Sequence, residues 1–289
     1  MKRAALLLGA LMLGSAASPP PVIQCMAGGL DGDIAIPAGT TLIGDDRGYA
    51  EEHGARRQSI AAFRIDRHEV TNSDFARFVA ATGYVTDAER LGESIVFIPP
   101  AAPVPNLDPR LWWKLVKGAD WRHPHGPDSS IAGRDYFPVV QVSFADASAY
   151  ARWAGRRLPT EAEFEYAARA GAETDSLDPP PPDAANSWQG HFPDSNSADD
   201  GHVGLAPVGC YQANRFGLHD MIGNAWEWTA SRYSADHHAP AADGDSQRTV
   251  KGGSFLCARN YCARYRPAAR QGQGEHEATS HLSFRTVAL

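Results

Sequence analysis

Cysteine is scarce in this chain, four among 289 residues, and there is no C-x-x-C pair and no H-x₃-H pair. A structural zinc site wants four nitrogen or sulfur ligands, so none is indicated. Positive charge is short as well. Lys and Arg total 27 against 34 Asp and Glu, a formal charge of −7 with a pI near 5.9. General nucleic-acid binding wants a basic stripe, and this balance argues against it. There is no internal repeat, no low-complexity block and no linker; the proline run at 179–182 reads as a surface loop. Beyond the first residues no stretch is apolar enough to span a membrane. What is present is a chain 43% hydrophobic with mean hydropathy −0.37, ample for a sizeable core. Its 27 Gly and 21 Pro indicate a turn-rich fold with few long elements.

The chain opens M-K-R-A-A-L-L-L-G-A-L-M-L-G-S-A-A-S: a basic start, a short apolar run and a small-residue exit. That is the pattern of a secretory signal peptide, with cleavage expected after Ala17. The expected layout is a signal peptide over 1–17, a loose lead-in over 18–32 and one domain over 33–289. The mature protein is expected to be soluble, monomeric and exported, periplasmic or secreted, into an oxidising compartment. The bulky Gln24 before Cys25 argues against lipid attachment there. Cys25 and Cys210 could pair in that compartment or stay free.

Three helices are expected from their caps. Thr71-Asn72-Ser73 precedes Phe75, Phe78 and Val79, with Gly83 closing. Ser143 with Asp146, and Thr160 with Glu163, make capping-box patterns, closed by Gly155 and Gly171. Strands are expected over Ile34–Ile36, Thr41–Ile43, Phe63–Asp66, Val139–Val142, Thr249–Lys251 and Ser283–Val287. The fold class is α+β with low regular secondary structure.

The other two cysteines share one segment, K-G-G-S-F-L-C-A-R-N-Y-C-A-R-Y-R at 251–266. Paired thiolates suit soft Cu(I) and its low coordination numbers. A local disulfide between Cys257 and Cys262 is the plainer reading in an exported protein, and the spacing leaves both open.

Several segments, in order along most of the mature chain, resemble the formylglycine-generating enzyme (sulfatase-modifying factor) family. They are I-P-A-G-T-T-L-I-G (36–44), D-R-H-E-V-T-N (66–72), the run from W-W to H-G-P (112–127) and W-A-G-R-R-L-P-T-E-A-E-F-E-Y-A-A-R (153–169). G-L-H-D-M-I-G-N-A-W-E-W-T (217–229), K-G-G-S-F-L-C (251–257) and L-S-F-R-T-V (282–287) follow. The L-P-T-E-A-E and G-N-A-W-E-W motifs speak for the fold alone. The G-G-S-x-x-C-x-x-x-Y-C signature resembles the catalytic branch.

The resemblance implies a variant of the C-type lectin-like fold, and a copper-dependent oxidase. Such an enzyme converts the cysteine of a C-x-P-x-R motif in a sulfatase-type protein to Cα-formylglycine with O₂. By resemblance, Cys257 and Cys262 would bind Cu(I), with Ser254 and Tyr261 lining the oxygen and metal pocket. Arg270, Trp121 and His281 would lie on the substrate side. Structural Ca²⁺, one or two ions, would be held by Asn186, Ser187, Asp200 and His202, and by Asp220, Gly223, Ala225 and Glu227. Blander roles stand beside these: Arg270 as an ion-pair residue, Tyr261 as core, and the Asn and Asp residues as turn formers. The chain departs from the family pattern at Ala258, where His is usual, at Asn260 for Ser, and at His281 for Asn. The alternatives are a non-catalytic accessory member of the fold and a non-haem iron enzyme of the superfamily.

Overall fold

The computed structural model describes Cys25 and residues 32–237, 239, 241, 242, 244 and 246–289. The expected signal peptide, most of the lead-in and His238 lie outside them. In chain order the elements are β1 (Asp33–Ile36), β2 (Gly39–Ile43), β3 (Arg56–Ile60), β4 (Phe63–Asp66), α1 (Asn72–Thr82), α2 (Asp87–Leu91), β5 (Glu93–Phe97) and β6 (Trp113–Lys117). Then come α3 (Phe144–Trp153), β7 (Arg156–Arg157), α4 (Glu161–Arg169), β8 (Trp226–Arg232), β9 (Gln247–Lys251), β10 (Arg270–Gly274), β11 (Leu282–Ser283) and β12 (Val287–Ala288).

The four α-helices among the described residues begin with a reciprocal capping box, Thr71/Asp74, Thr86/Glu89, Ser143/Asp146 and Thr160/Glu163, which satisfies orphan amides at each N-terminus. The three expected helices form. The fourth, α2, carries the same box, but its five residues are too few to display an apolar period. Helix α4 closes one residue earlier than its glycine suggests, on Ala170 in a left-handed conformation.

Among the described residues there are two four-stranded sheets, ordered β1-β4-β12-β7 and β10-β9-β8-β11, and two separate antiparallel pairs, β2-β3 and β5-β6. The strand expected over Ser283–Val287 forms as two short pieces. β11 runs parallel to β8, whereas β12 lies antiparallel to β4 and β7, so this segment ties the two sheets together. Between them Arg285 leaves the ladder to ion-pair with Glu227 in the core.

The strand expected over Val139–Val142 does not form. Val139 N bonds to Val70 O, but Gln141 adopts φ 61° and sends its amide to Thr279 O. A left-handed residue breaks the extended repeat. The valines Val139, Val140 and Val142 are buried all the same, from irregular backbone. The main apolar cluster joins α1 and α3 to Trp226, Trp228 and Phe284. A separate aromatic cluster, Phe97, Trp112, Trp188, Phe192 and Phe255, backs the cysteine segment.

Candidate active site

The cysteine segment is shaped by two glycines. Strand β9 ends at Lys251, and Gly252 and Gly253 follow at φ 92° and 75°. A Cβ on Gly253 would lie 2.6 Å from Arg264 O and 3.2 Å from Cys257 Sγ, so only glycine lets the two arms of the loop approach so closely. The turn is pinned by Cys257 N to Ser254 O and by Trp188 N to Cys257 O, at 2.9 and 3.0 Å. Cys262 N bonds to Ala258 O at 3.0 Å, which brings the second sulfur back over the first.

The two sulfurs stand 3.1 Å apart as free thiols, well beyond the roughly 2.05 Å of a disulfide. Cys257 is buried and Cys262 partly exposed, at the floor of a cavity of about 400 Å³. The other two cysteines, Cys25 and Cys210, are bonded to each other. That bond takes both sulfurs of the one cysteine–histidine group with metal-like spacing among the described residues, completed by His202.

The environment splits the thiol pair electrostatically. The hydrogen bond from Cys257, followed by the nearby Arg264 guanidinium, lowers Cys262 to about 7. Burial pushes Cys257 up. Arg264 Nη1 lies 3.9 Å from Cys262 Sγ, held there by Glu51 and stacked on Tyr49 at 4.1 Å.

Across the cavity Ser254 Oγ lies 3.0 Å from His281 Nδ1 and accepts from Leu256 N at 3.3 Å. The imidazole packs on Trp113 at 4.7 Å, and desolvation keeps it neutral by drawing its pKa down to about 3. Tyr261 lines the cavity and stacks flat on Phe192, centroids 4.4 Å apart.

The structure therefore gathers Cys257, Cys262, Ser254, Tyr261 and His281 about one cavity and places two other expected residues elsewhere. Arg270 is 2% exposed and paired with Glu161, with Nη1 on the carbonyls of Glu51 and Ser234. Trp121 is buried against Phe75, with Arg122 over its ring. Residues not singled out from the sequence also line it, Arg264, Gln271, Gln273, Trp113 and Ile95 among them. Their signal in the sequence is modest: an arginine two residues past a cysteine, and alternate polar residues in R-Q-G-Q-G.

Two oxygen-rich loops meet at Asn224. Asn186 Nδ2 donates to Asn224 Oδ1 and Gly204 O, while its buried Oδ1 has no hydrogen-bond partner. Beside it the Asp200 carboxylate accepts from Ser187 N and His202 N, both at 3.0 Å. In the second loop Asp220, at φ 55°, accepts from Gly209 N, and Gly223 and Ala225 lie between it and Glu227. A Cβ on Gly223 would fall 2.3 Å from Asn186 O, so the loops touch through backbone.

Glu69, Asp220 and Glu227 are all buried, and burial raises all three. Arg285 is their nearest cation, bidentate to Glu227 at 2.7 Å and 3.9 Å from Glu69 Oε2, which has no hydrogen bond.

Sparse helices, two small sheets and a free thiol pair facing a cleft define the formylglycine-generating variant of the C-type lectin-like fold. The chain belongs to the sulfatase-modifying factor family: residues 23–288 match the sulfatase-modifying factor enzyme 1-like domain. It is 47% identical over 289 residues to the formylglycine-generating enzyme of Mycobacterium tuberculosis, covering 88% of this chain and 97% of that protein. It is 40% identical over 265 residues to the inactive C-alpha-formylglycine-generating enzyme 2 of Mus musculus, covering 87% and 84%. The structure of PvdO from Pseudomonas aeruginosa shares the fold, with TM-score 0.64 and 22% identity over 88% of this chain and 93% of that one.

Proposed function

We propose that this protein oxidises a cysteine in a C-x-P-x-R sulfatase motif to Cα-formylglycine, using O₂ and a Cu(I) ion held by Cys257 and Cys262. The observation that carries the reading is the free thiol pair at the floor of an open cavity, in a chain whose other cysteines are bonded. The donor set fits the ion, because two adjacent soft sulfurs, one inclined to be a thiolate, are what Cu(I) selects. Bound copper would supply the electron that O₂ needs, chemistry no side chain here provides.

The chain's own residues do the rest. Arg264, braced by Glu51 and Tyr49, holds positive charge beside Cys262 and favours its deprotonated form. Ser254 N points at Cys257 Sγ from 3.4 Å and fixes that sulfur. The Ser254–His281 pair offers a hydroxyl and a neutral imidazole to the cavity, an uncharged hydrogen-bonding site beside the thiols. Tyr261 and Trp113 line the cavity with apolar rings beside the thiols.

Calcium fits the two loops. Hard oxygens are concentrated there, one of them the unpartnered Asn186 Oδ1, and three buried carboxylates outnumber the one guanidinium beside them. Asn186, Asp200 and the carbonyls of Ser187 and His202 would hold one ion. Asp220, Glu227 and the carbonyls of Gly223 and Ala225 would hold the other. No helix among the described residues is long and apolar enough to cross a membrane, and export through the N-terminal segment is part of this reading.

Copper stoichiometry combined with thiol counting tests the site. The native metal-free protein should titrate two thiols and take up one Cu(I) per chain; Cys257→Ser and Cys262→Ser should each lose tight binding. No copper uptake by a protein with both thiols free would overturn the proposal.

A further inference from the structure

The disulfide Cys25–Cys210 ties the lead-in to the stretch between the two oxygen-rich loops, across 185 residues of sequence. His202 stands beside it. One imidazole nitrogen and the two sulfurs all lie within 4.8 Å of one another, the spacing of ligands about a single metal ion. The calcium reading calls only on the His202 carbonyl. The imidazole, edge-on to Tyr211 with centroids 6.4 Å apart, makes no hydrogen bond to any described residue. Cys25 and His202 are half-buried and Cys210 is 9% exposed. His202 also lines a cavity of about 660 Å³, separate from the one that holds Cys257 and Cys262, which gives an ion a way in.

Two of the three groups are positioned without help from the disulfide. His202 N donates to Asp200 Oδ1 at 3.0 Å, and the hydroxyl of Tyr211, the neighbour of Cys210, donates to Asp200 O at 3.0 Å. On the other side of Cys210, Gly209 N donates to Asp220 Oδ2 at 2.7 Å. Cys210 packs with Ala206 and Tyr211, and Cys25 rests on the same cluster. Opening the S–S bond therefore leaves both thiols and the imidazole close together.

We propose that Cys25, Cys210 and His202 form a redox-gated zinc site, closed as the disulfide and open to Zn²⁺ once the two sulfurs are reduced. The reductant is a dithiol. It gives up two electrons and two protons and closes to its own disulfide, while the Cys25–Cys210 bond breaks to two thiols. Zn²⁺ then displaces both thiol protons to solvent and binds two thiolates and the neutral imidazole. Thiolate and imidazole together suit this ion, and three protein ligands leave its fourth tetrahedral position to water. Either state ties the lead-in to the loops, through S–S or through S–Zn–S, so the staple survives a change of redox conditions. The site stands apart from the oxidase reading and needs none of its residues.

The test uses the Cys257→Ser/Cys262→Ser protein, which removes the other thiol pair, with Ca²⁺ present to fill the oxygen-rich loops. It is reduced with a dithiol, freed of the reductant without air, and titrated with Co²⁺ as an absorbing substitute for Zn²⁺. One Co²⁺ per chain should bind, with a sulfur-to-cobalt charge-transfer band and the intense visible bands of a tetrahedral ion, and Zn²⁺ should displace it. The oxidised protein should show none of these. His202→Ala keeps the backbone bond to Asp200 and should leave the melting temperature of the oxidised protein unchanged. In the reduced protein it should weaken Zn²⁺ binding at least about tenfold, since even the loss of an outer partner of a metal ligand costs about that much. No charge-transfer band from reduced protein in which two thiols titrate overturns the site. Full affinity in the His202→Ala protein overturns the three-ligand assignment, and equal uptake by oxidised and reduced protein overturns the gate.

Discussion

Asn260 grips the main chain of Phe192 with both ends of its amide: Oδ1 accepts from Phe192 N at 3.1 Å and Nδ2 donates to Phe192 O at 2.9 Å. Phe192 in turn carries the ring on which Tyr261 stacks, and Trp112 meets both edge-on. The departure from the family pattern at Asn260 thus acts on the wall behind the site.

Asn260→Ala removes both bonds and should cost about 1–2 kcal/mol of stability, since each such bond contributes roughly 0.5–1.5 kcal/mol net. With Phe192 loosened, Tyr261 loses its support, so kcat should fall more than KM changes. Asn260→Asp keeps the acceptor and should recover part of the loss. Urea denaturation and steady-state kinetics on the three proteins check this, and an Ala variant with wild-type stability would contradict the role.

Chelation should destabilise the fold. Glu69, Asp220 and Glu227 share Arg285, and a divalent cation would relieve their mutual repulsion. Treatment with a calcium-selective chelator should lower the melting temperature by several degrees, with Ca²⁺ restoring it and Mg²⁺, which demands tight octahedral geometry, failing to. Asp200→Ala should remove part of that response. Arg285→Met strips the carboxylates of their nearest cation, and should cost about 3–5 kcal/mol in metal-free protein. Scanning calorimetry with and without Ca²⁺ reads both effects.

Acid should weaken the Glu161 contact. Burial alone would raise this carboxyl, but Lys251 and Arg270 outweigh it and hold it below the usual value of 4.5. A depressed folded-state pKa contributes stability that is fully present above the unfolded value and is lost as pH falls through the folded one. The stability gap between wild type and Glu161→Gln should therefore be constant above about pH 5 and narrow at lower pH. Denaturation midpoints measured from pH 7 to pH 3 decide it; a gap independent of pH across that range would contradict the assignment.

Much of the fold is legible in the amino-acid sequence. Caps place α1, α3 and α4, the last two through a capping box, because an N-cap and its partner three residues on are a local code. The pair Cys257 and Cys262 and its neighbours Ser254 and Tyr261 are readable as one segment, and they do share one cavity. Long-range choices are not readable. Nothing local says that Gln141 turns left-handed to meet Thr279, or that the Ser283–Val287 segment serves two sheets. Arg270 and Trp121 carry chemistry suited to a site, yet Glu161 draws the first into the core and Phe75 the second, partners far away in sequence. Arg264 does not stand out in the sequence because its importance comes from Glu51 and Tyr49, more than two hundred residues earlier.

The most direct test of the central claim is mass spectrometry of a C-x-P-x-R peptide after incubation with the Cu(I)-loaded protein, O₂ and a thiol reductant. The expected product carries a carbonyl oxygen in place of the cysteine thiol and one hydrogen, forms an oxime with hydroxylamine, and is absent with Cys262→Ser. An unchanged peptide, from wild-type protein with copper seated on both thiols, would contradict the account.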